Sequence, residues 1–324
     1  MNKEEYGLVP SLNEFLKSEL DNWELARKNY EALSNVVVRQ LEGFPDSLTL
    51  QHNPARIVST NASIDKKSLA ERPCFLCADN RPAEQGSFTV LDKYQLLINP
   101  FPILPEHFTI PLCQHKPQSI RDHYRDMMEL ARQMDGFFVF YNGPKCGASA
   151  PDHMHFQAGN RGVVPLERDW HTYYNKYKEQ VISITDEKGI FVIRNYVCPV
   201  FAIITRSVDA SETLFNILYD SLPMHEGEPE PMMNIMAWAF VGVDGQRWIN
   251  SLVIPRSKHR PDCYFAEGDS QILVSPGAID MGGLLILPRE KDFRDVTTAQ
   301  IEGVLKEVGL SDEELEIIIM KLKN

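Results

Sequence analysis

The 324-residue chain is 43% hydrophobic and 24% charged, an ordinary globular composition with enough apolar material for one large or two modest domains. Its net charge of −12 excludes the basic surface that extended nucleic-acid binding needs, although a few local Lys and Arg can still hold a small anion. No apolar run approaches 18 residues, the opening MNKEEYGLVPSLNEF lacks the apolar core of a secretory signal, and six cysteines in this length do not suggest a disulfide scaffold. A cytoplasmic protein with no membrane span is expected.

Ser11 followed by Glu14 is a capping-box pattern, and Leu12, Phe15, Leu16, Trp23, Ala26, Tyr30 and Leu33 recur at helical spacing, so one helix is predicted over 11–34. VVVRQ (36–40) and SLTLQ (47–51) read as strands. QLLINPFPILPEHFTIP (95–111) reads as two strands joined by a proline-marked connection. Ser119 and Asp122 are caps for a helix to about Met134, with Ile120, Tyr124, Met127, Met128 and Ala131 inward. FFVFY (137–141) is a buried strand. VISITDEKGIFVIRNY (181–196) is a hairpin candidate, and a helix is predicted over 211–222. EGEPEPMM (226–233) is an acidic connection. The following 233–255 is a hairpin whose Asp244-Gly245 suits a two-residue turn. Ser311 with Glu314 caps a terminal helix. Strands and helices mix without strict βαβ alternation, which argues for an α+β fold with a largely antiparallel sheet.

A faint repeat runs through this order. FTIPLCQHKP (108–117) and LVIPRSKHRP (252–261) match at Ile110/Ile254, Pro111/Pro255, His115/His259 and Pro117/Pro261. VSPGAIDMGGLLIL (274–287) resembles GASAPDHMHFQAG (147–159) in outline, with Gly282 and Gly283 where histidines stand in the first copy. A division into 1–165 and 166–324 follows, with one chemical site per chain, in the first part. Whether the second part adds Arg256, Lys258, His259 or Arg260 to that site is left open.

Two stretches carry chemistry. In GASAPDHMHFQAG, His153, His155 and Gln157 alternate with Met154 and Phe156, so an extended chain puts the polar three on one face and the apolar two on the other. Gly147, Ala148 and Ser149 before them leave backbone N–H groups open to a phosphate, and a neutral histidine on the next strand could attack phosphorus. A glycine-bearing turn leading into an amphipathic strand is the plain alternative. In RPCFLCADNRP, Cys74 and Cys77 can share one tetrahedral metal; two inert buried thiols, or a redox pair, are the other readings. His107, His115, His153, His155 and Cys113 are available to complete a metal site. Lys66, Lys67, Arg72, Arg81 and Lys145 flank the motifs and could supply positive charge.

NPFPILPEHFTIPLCQH, followed by a helix and then YNG…GAS…DHMHFQ, resembles the histidine-triad superfamily. The glutamine in the third triad position, the upstream CxxC and the duplicated layout are similar to its transferase branch, which includes galactose-1-phosphate uridylyltransferase, diadenosine tetraphosphate phosphorylase and GDP-L-galactose phosphorylase. The clear resemblance covers about residues 53–160. It implies a histidine-triad-like antiparallel sheet with flanking helices in two halves, the second degenerate. It implies His155 as the nucleophile that forms a nucleotidyl-histidine, with Gln157 on the phosphoryl group. Gly147, Ala148 and Ser149 would hold phosphate oxygens with Asn142 nearby, and Asn99 and Phe101 would line the nucleoside pocket. Cys74, Cys77, His115 and His153 would hold a structural zinc, with His107 the alternative to His115. The implied partners are a nucleotide or nucleotide-sugar substrate and a phosphate-bearing acceptor, with a homodimer by analogy only. Met154 stands where uridylyltransferases carry proline between the histidines. A non-catalytic nucleotide-binding module and a nucleotide hydrolase of the triad type are the competing functions.

Overall fold

The computed structural model describes residues 9–42, 48–57, 66–184 and 188–323, apart from the side chains of residues 9–11, 66, 67 and 70. The capping group of Ser11, strand residue Ser47, the hairpin connection 185–187 and the amines of Lys66 and Lys67 lie outside these. Ten strands form one sheet: β3 (Phe88–Val90), β4 (Tyr94–Ile98), β5 (His107–Pro111), β6 (Phe137–Asn142), β7 (His155–Asn160), β8 (Lys178–Ile182), β9 (Gly189–Ile193), β10 (Val200–Thr205), β11 (Met233–Val241) and β12 (Arg247–Pro255). Their spatial order is β3-β4-β5-β7-β6-β11-β12-β10-β9-β8, and every pairing in it is antiparallel. A second sheet joins β1 (Val37–Leu41), β2 (Leu48–His52) and β13 (Leu284–Leu287), the last parallel to β2.

The large sheet is internally duplicated. With the helices α3 (Tyr124–Gln133) and α4 (Val208–Ser221), the run β3-β4-β5-α3-β6-β7 is laid out as β8-β9-β10-α4-β11-β12 is, and the two meet at β6 and β11. The sequence match at 108–117 and 252–261 nevertheless joins non-equivalent strands. It aligns β5 with β12, whereas the topology makes β10 the counterpart of β5 and β12 the counterpart of β7. Residues 274–287 end in β13, which belongs to the other sheet. An apolar strand closed by proline is a local pattern that both places share, so similarity there carried no register. In the second half, Leu252 and Ile254 on β12 face the second apolar core, where β7 places His155 and Gln157; no histidine stands on that strand.

Each face of the sheet buries its own core. On one, Met154, just before β7, and Phe156 and Ala158 on it pack with Tyr124, Met127, Met128 and Ala131 of α3 and with Leu214, Phe215 and Leu218 of α4. On the other, Phe138, Phe140 and Leu104 pack with the small sheet and with α5 (Thr298–Val308). The period-two pattern of DHMHFQ is therefore a real division between core and site.

Several local predictions change. The N-terminal helix is two, α1 (Val9–Asn22) and α2 (Glu24–Leu33), because Trp23 takes an extended backbone (φ −119°, ψ 98°) that sinks its indole into the protein. Neither Ser119 nor Asp122 caps α3; the backbone N–H of Ile120 instead donates to the distant Glu230 carboxylate at 2.7 Å. Helix α4 starts at Val208, with the Ser207 hydroxyl accepting from Ala210 N–H, so Ser211 lies inside it. The β11–β12 connection pairs Gly242 N–H with Gln246 O, a three-residue loop 243–245 with Gly245 at φ +72°. Ser311 and Glu314 exchange the two bonds of a capping box at the start of α6 (Asp312–Lys323).

Candidate active site and metal centre

A cleft of about 680 Å³ opens on the second face of the sheet, a volume typical of small-molecule sites. It is lined by residues expected from the sequence, Asn99, Phe101, Asn142, Gly147, Ala148, Ser149, His155 and Gln157. The second half adds His259, Arg260, Ser275 and Gly277.

His155 sits on β7 opposite Pro111, with its ring in this cleft. Its Nδ1 lies 2.8 Å from the backbone carbonyl of His153. A carbonyl only accepts, so Nδ1 carries the proton and, in the neutral ring, Nε2 carries the lone pair. Burial pushes the imidazole down to about 4, which keeps it neutral at pH 7. Where β6 and β7 stop pairing, the buried carboxamide of Gln118 replaces the missing ladder. Its oxygen accepts from His155 N–H at 2.8 Å, and its amide donates to the carbonyls of His155 and Asn142, both at 3.0 Å.

Gln157 is fixed from its far side. Ile103 N–H donates to His107 Nδ1 at 3.3 Å, so His107 holds its proton on Nε2 and donates to Gln157 Oε1 at 3.0 Å. With that oxygen engaged, Gln157 offers its NH₂ group to the cleft. Burial, and then the nearby Arg56, push His107 down to about 3, so it stays a neutral donor. Burial and this role remove His107 from the metal alternatives.

Cys74, Cys77, His115 and His153 come together, with all four ligating atoms within 4.8 Å of one another. Cys74 Sγ is 3.3 Å and Cys77 Sγ 3.5 Å from His153 Nδ1, and Cys77 Sγ is 3.2 Å from His115 Nδ1. Ligands shared by one tetrahedral Zn²⁺, at Zn–S of about 2.3 Å and Zn–N of about 2.0 Å, stand roughly 3.3–3.8 Å apart. His153 Nε2 donates to Leu112 O at 2.7 Å, which leaves Nδ1 with its lone pair toward the sulfurs. The donor set therefore fits a metal ion. Cys113 stands apart and exposed, within reach of Gln95.

The glycine loop is clamped between the halves. Gly147 (φ +95°) packs so closely that a Cβ there would lie 2.6 Å from the Cα of Gly277. Asn142 Oδ1 accepts from Ala278 N–H at 2.7 Å and from Asn234 at 2.9 Å, so its carboxamide oxygen ties the second half to the loop. Arg256 is fully buried, and its guanidinium donates to Asn234 Oδ1 and to the carbonyls of Val308, Pro276, Lys258 and His259. It is a structural cation that shapes the far wall. Lys258 pairs with Asp262 and Glu307, and Lys145 with Glu228, both outside the cleft lining. Arg81 is likewise absent from the lining, whereas Arg72 lies in it.

Sequence reasoning missed Gln118, His107 as a partner of Gln157, and Arg56 in the cleft wall. Gln118 follows a proline in an irregular segment with no periodic signal, and Arg56 precedes the CxxC in a stretch with no motif of its own.

A family model described as Domain of unknown function (DUF4922) matches residues 15–160. No curated protein matches the chain by sequence. Among solved structures, yeast Ap4A phosphorylase Apa2 in complex with Ap4A superposes with a TM-score of 0.59 at 17% identity, covering 92% of this chain and 97% of that one. The fold is the duplicated histidine-triad-like one. The same yeast enzyme in complex with AMP gives 0.58 at 15% identity over 91% and 96% of the two chains, and a further structure of it gives 0.53 at 16% over 89% and 94%. This histidine-triad-like architecture extends over both halves, well beyond residues 53–160 where the sequence resemblance is clear. Among the described residues, no helix is long and apolar enough to cross a membrane.

Proposed function

We propose that the protein is a nucleotidyltransferase or phosphorylase that takes a nucleoside diphosphate sugar or a dinucleoside polyphosphate, parks the nucleoside monophosphate on His155, and passes it to phosphate or a sugar phosphate. The observation that carries this reading is the state of His155: neutral, its Nδ1–H committed to the His153 carbonyl, its Nε2 the atom left to meet a ligand in the cleft. The shared fold with a yeast Ap4A phosphorylase, solved with Ap4A and with AMP, supports it.

In the first step the Nε2 lone pair attacks the α-phosphorus. The N–P bond forms, the bond to the bridging oxygen breaks, and that electron pair leaves with the departing phosphate. Nδ1–H stays where it is, so no proton has to move. In the second step an acceptor phosphate oxygen attacks the same phosphorus and the pair returns to Nε2. Gln157 NH₂, the amides of Gly147 and Ala148 and the Ser149 hydroxyl would hold the non-bridging oxygens, where charge must be neutralised. Asn99 and Phe101 would line the nucleoside side. Zinc would sit among Cys74, Cys77, His115 and His153, where it would lock the CxxC turn to the strand that carries His155, outside the transfer itself.

Mixing the purified protein with a panel of nucleotide sugars and dinucleotides, followed by mass spectrometry, tests the reading. The expected result is an acid-labile mass gain equal to one nucleoside monophosphate, absent from His155→Ala. Saturable binding with no adduct would instead mark a binding module. Rapid turnover without added acceptor would mark a hydrolase.

A further inference from the structure

Pro100, Phe101 and Ile103 line one wall of the cleft, yet residues 100–103 belong to no strand or helix. Pro100 and Pro102 have no N–H to give to a ladder. Among the described residues, no backbone N–H donates to the carbonyls of 100–103. Side chains reach all four instead. Asn29 Nδ2 donates to Pro100 O at 2.7 Å, Arg56 Nη1 to Phe101 O at 2.8 Å, Asn53 Nδ2 to Pro102 O at 3.3 Å and Gln51 Nε2 to Ile103 O at 3.3 Å. The two N–H groups of the stretch also end on side chains, Phe101 on Asn99 Oδ1 at 3.0 Å and Ile103 on His107 Nδ1 at 3.3 Å. Most backbone groups of a folded chain pair with other backbone groups, so a wall held wholly by side chains is a specific construction.

The donors come from two places outside the ten-stranded sheet. Asn29 stands on α2, where its neighbour Tyr30 donates to His107 O at 2.9 Å. Gln51 is on β2, and Asn53 and Arg56 follow it directly. Asn53 Nδ2 also donates to Gln51 Oε1 at 3.3 Å, which locks these two buried carboxamides together. On its other side β2 pairs with β13, and Asn53 N–H donates to Leu287 O at 3.1 Å. Strand β13 is in turn tied to the glycine loop. The Asp280 carboxylate accepts from Ile286 N–H at 2.9 Å and from Gly277 N–H at 3.0 Å, and Gly277 packs on Gly147. Strand β2 therefore lies between the two walls of the cleft, joined to one by side chains and to the other through a ladder.

We propose that β2 is a strut across the cleft, and that Asn29, Gln51 and Asn53 are positioning residues that set the proline wall against the glycine loop. None of the three lines the cleft, so they reach a ligand only through that wall. Arg56 faces the cleft itself, and its loss would mix positioning with contact. The strut also extends to the reacting end, because Ile103 N–H fixes the tautomer in which His107 donates to Gln157. A proline segment with unpaired carbonyls would have to be ordered as the ligand enters, at a cost in affinity; the strut orders it beforehand. The inference rests on the nucleotide reading only for the ligand that fills the cleft, since the ties belong to the free protein.

Asn29→Asp and Asn53→Asp keep the shape of the side chain and turn the donor into an acceptor facing a carbonyl. Amide exchange of segment 99–107, followed by mass spectrometry on the full-length ligand-free protein, should quicken about tenfold in each variant while β6 and β7 keep wild-type rates. AMP, titrated by calorimetry, should bind about five- to tenfold more weakly. Asn22→Asp, at an exposed amide of α1 that donates to Ser18 O, should match wild type in both measurements. Exchange that quickens equally throughout the protein would mark a loss of stability alone and overturn the strut. Wild-type exchange in the folded variants, or faster local exchange with AMP affinity unchanged, would overturn it too. If Asn53→Asp does not fold, Asn29→Asp, whose side chain is half-buried, carries the same test. The two readings fail separately. Local quickening with no AMP binding by wild type keeps the strut and sinks the nucleotide reading. AMP binding with unchanged exchange does the reverse.

Discussion

His153 and His155, two residues apart on one polar face, are held in opposite tautomers by backbone carbonyls. His153 donates from Nε2 to Leu112 O at 2.7 Å, and His155 donates from Nδ1 to His153 O at 2.8 Å. One ring therefore turns its lone pair to the cysteines and the other to the cleft. The peptide between them makes the metal centre part of the support of the proposed nucleophile, while neither ring touches the other's partner.

That arrangement separates two variants. Cys77→Ala should lose bound metal and unfold more easily by about 4 kcal/mol, since the 74–80 turn has few other ties to the body. His155→Ala should keep one metal per chain and stay within about 1 kcal/mol of wild type, losing only the adduct. Elemental analysis and thermal unfolding on the same preparations check both. A folded, metal-free Cys77→Ala would contradict the metal centre.

Gln118 is the residue whose loss should separate folding from chemistry least cleanly. Gln118→Leu leaves His155 N–H and two carbonyls without a partner in a buried place, which costs about 2–4 kcal/mol of stability. The His155 backbone then lacks its brace, and adduct formation should slow by about 10²-fold. Chemical denaturation and a single-turnover time course give the two numbers. Adduct formation at the wild-type rate would show that the brace has no part in positioning.

Much of the site was legible because its chemistry lies in local patterns. The alternation of His153, His155 and Gln157 with Met154 and Phe156 names both faces of β7, and the CxxC marks a metal-ligand pair, whereas the choice of His115 and His153 beside it came from the family resemblance. What stayed hidden is non-local. Glu230 holds the Ile120 N–H, in the turn that leads into α3, from 110 residues away; Gln118 stands in for a strand; Arg260 reaches the cleft only because the halves join at β6 and β11. No spacing rule encodes such contacts. The duplication was legible as an idea but not in its register, since Ile-Pro strand ends recur wherever a strand closes.

Gly147 and Gly136 share a left-handed backbone, at φ +95° and +79°, but not their surroundings. A Cβ on Gly147 meets the Gly277 backbone at 2.6 Å, and one on Gly136 meets nothing within 4 Å. Gly136→Ala should therefore cost only the backbone term, about 1–2 kcal/mol, and keep activity. Gly147→Ala should cost about 1–2 kcal/mol more and lose nucleotide binding, because the loop must part from the second half. Urea unfolding of the two variants, with AMP titration, reads the difference. Equal losses would mean that the contact between the halves is not rigid.

Glu230 gives the pH dependence a sign. It accepts from Tyr141 OH and Ile120 N–H, and burial raises its carboxyl to about 7 from an ordinary value near 4.5. The folded state thus holds a proton that the unfolded state has released. This group's contribution is fully present below about pH 4.5 and is lost as pH rises through 7. A carboxyl raised from 4.5 to about 7 corresponds to roughly 3 kcal/mol. Buried His107, lowered to about 3, acts oppositely: it favours folding above about 6.5 and loses that contribution as pH falls. That contribution is common to wild type and Glu230→Gln and cancels between them. The stability of Glu230→Gln relative to wild type should therefore rise by up to about 3 kcal/mol between pH 4.5 and pH 8, whatever its value at either end. Paired urea titrations at those two pH values measure it. A difference that stays flat across the range would mean that the buried carboxyl titrates at its ordinary value, and that Ile120 N–H donates to an ionised group throughout.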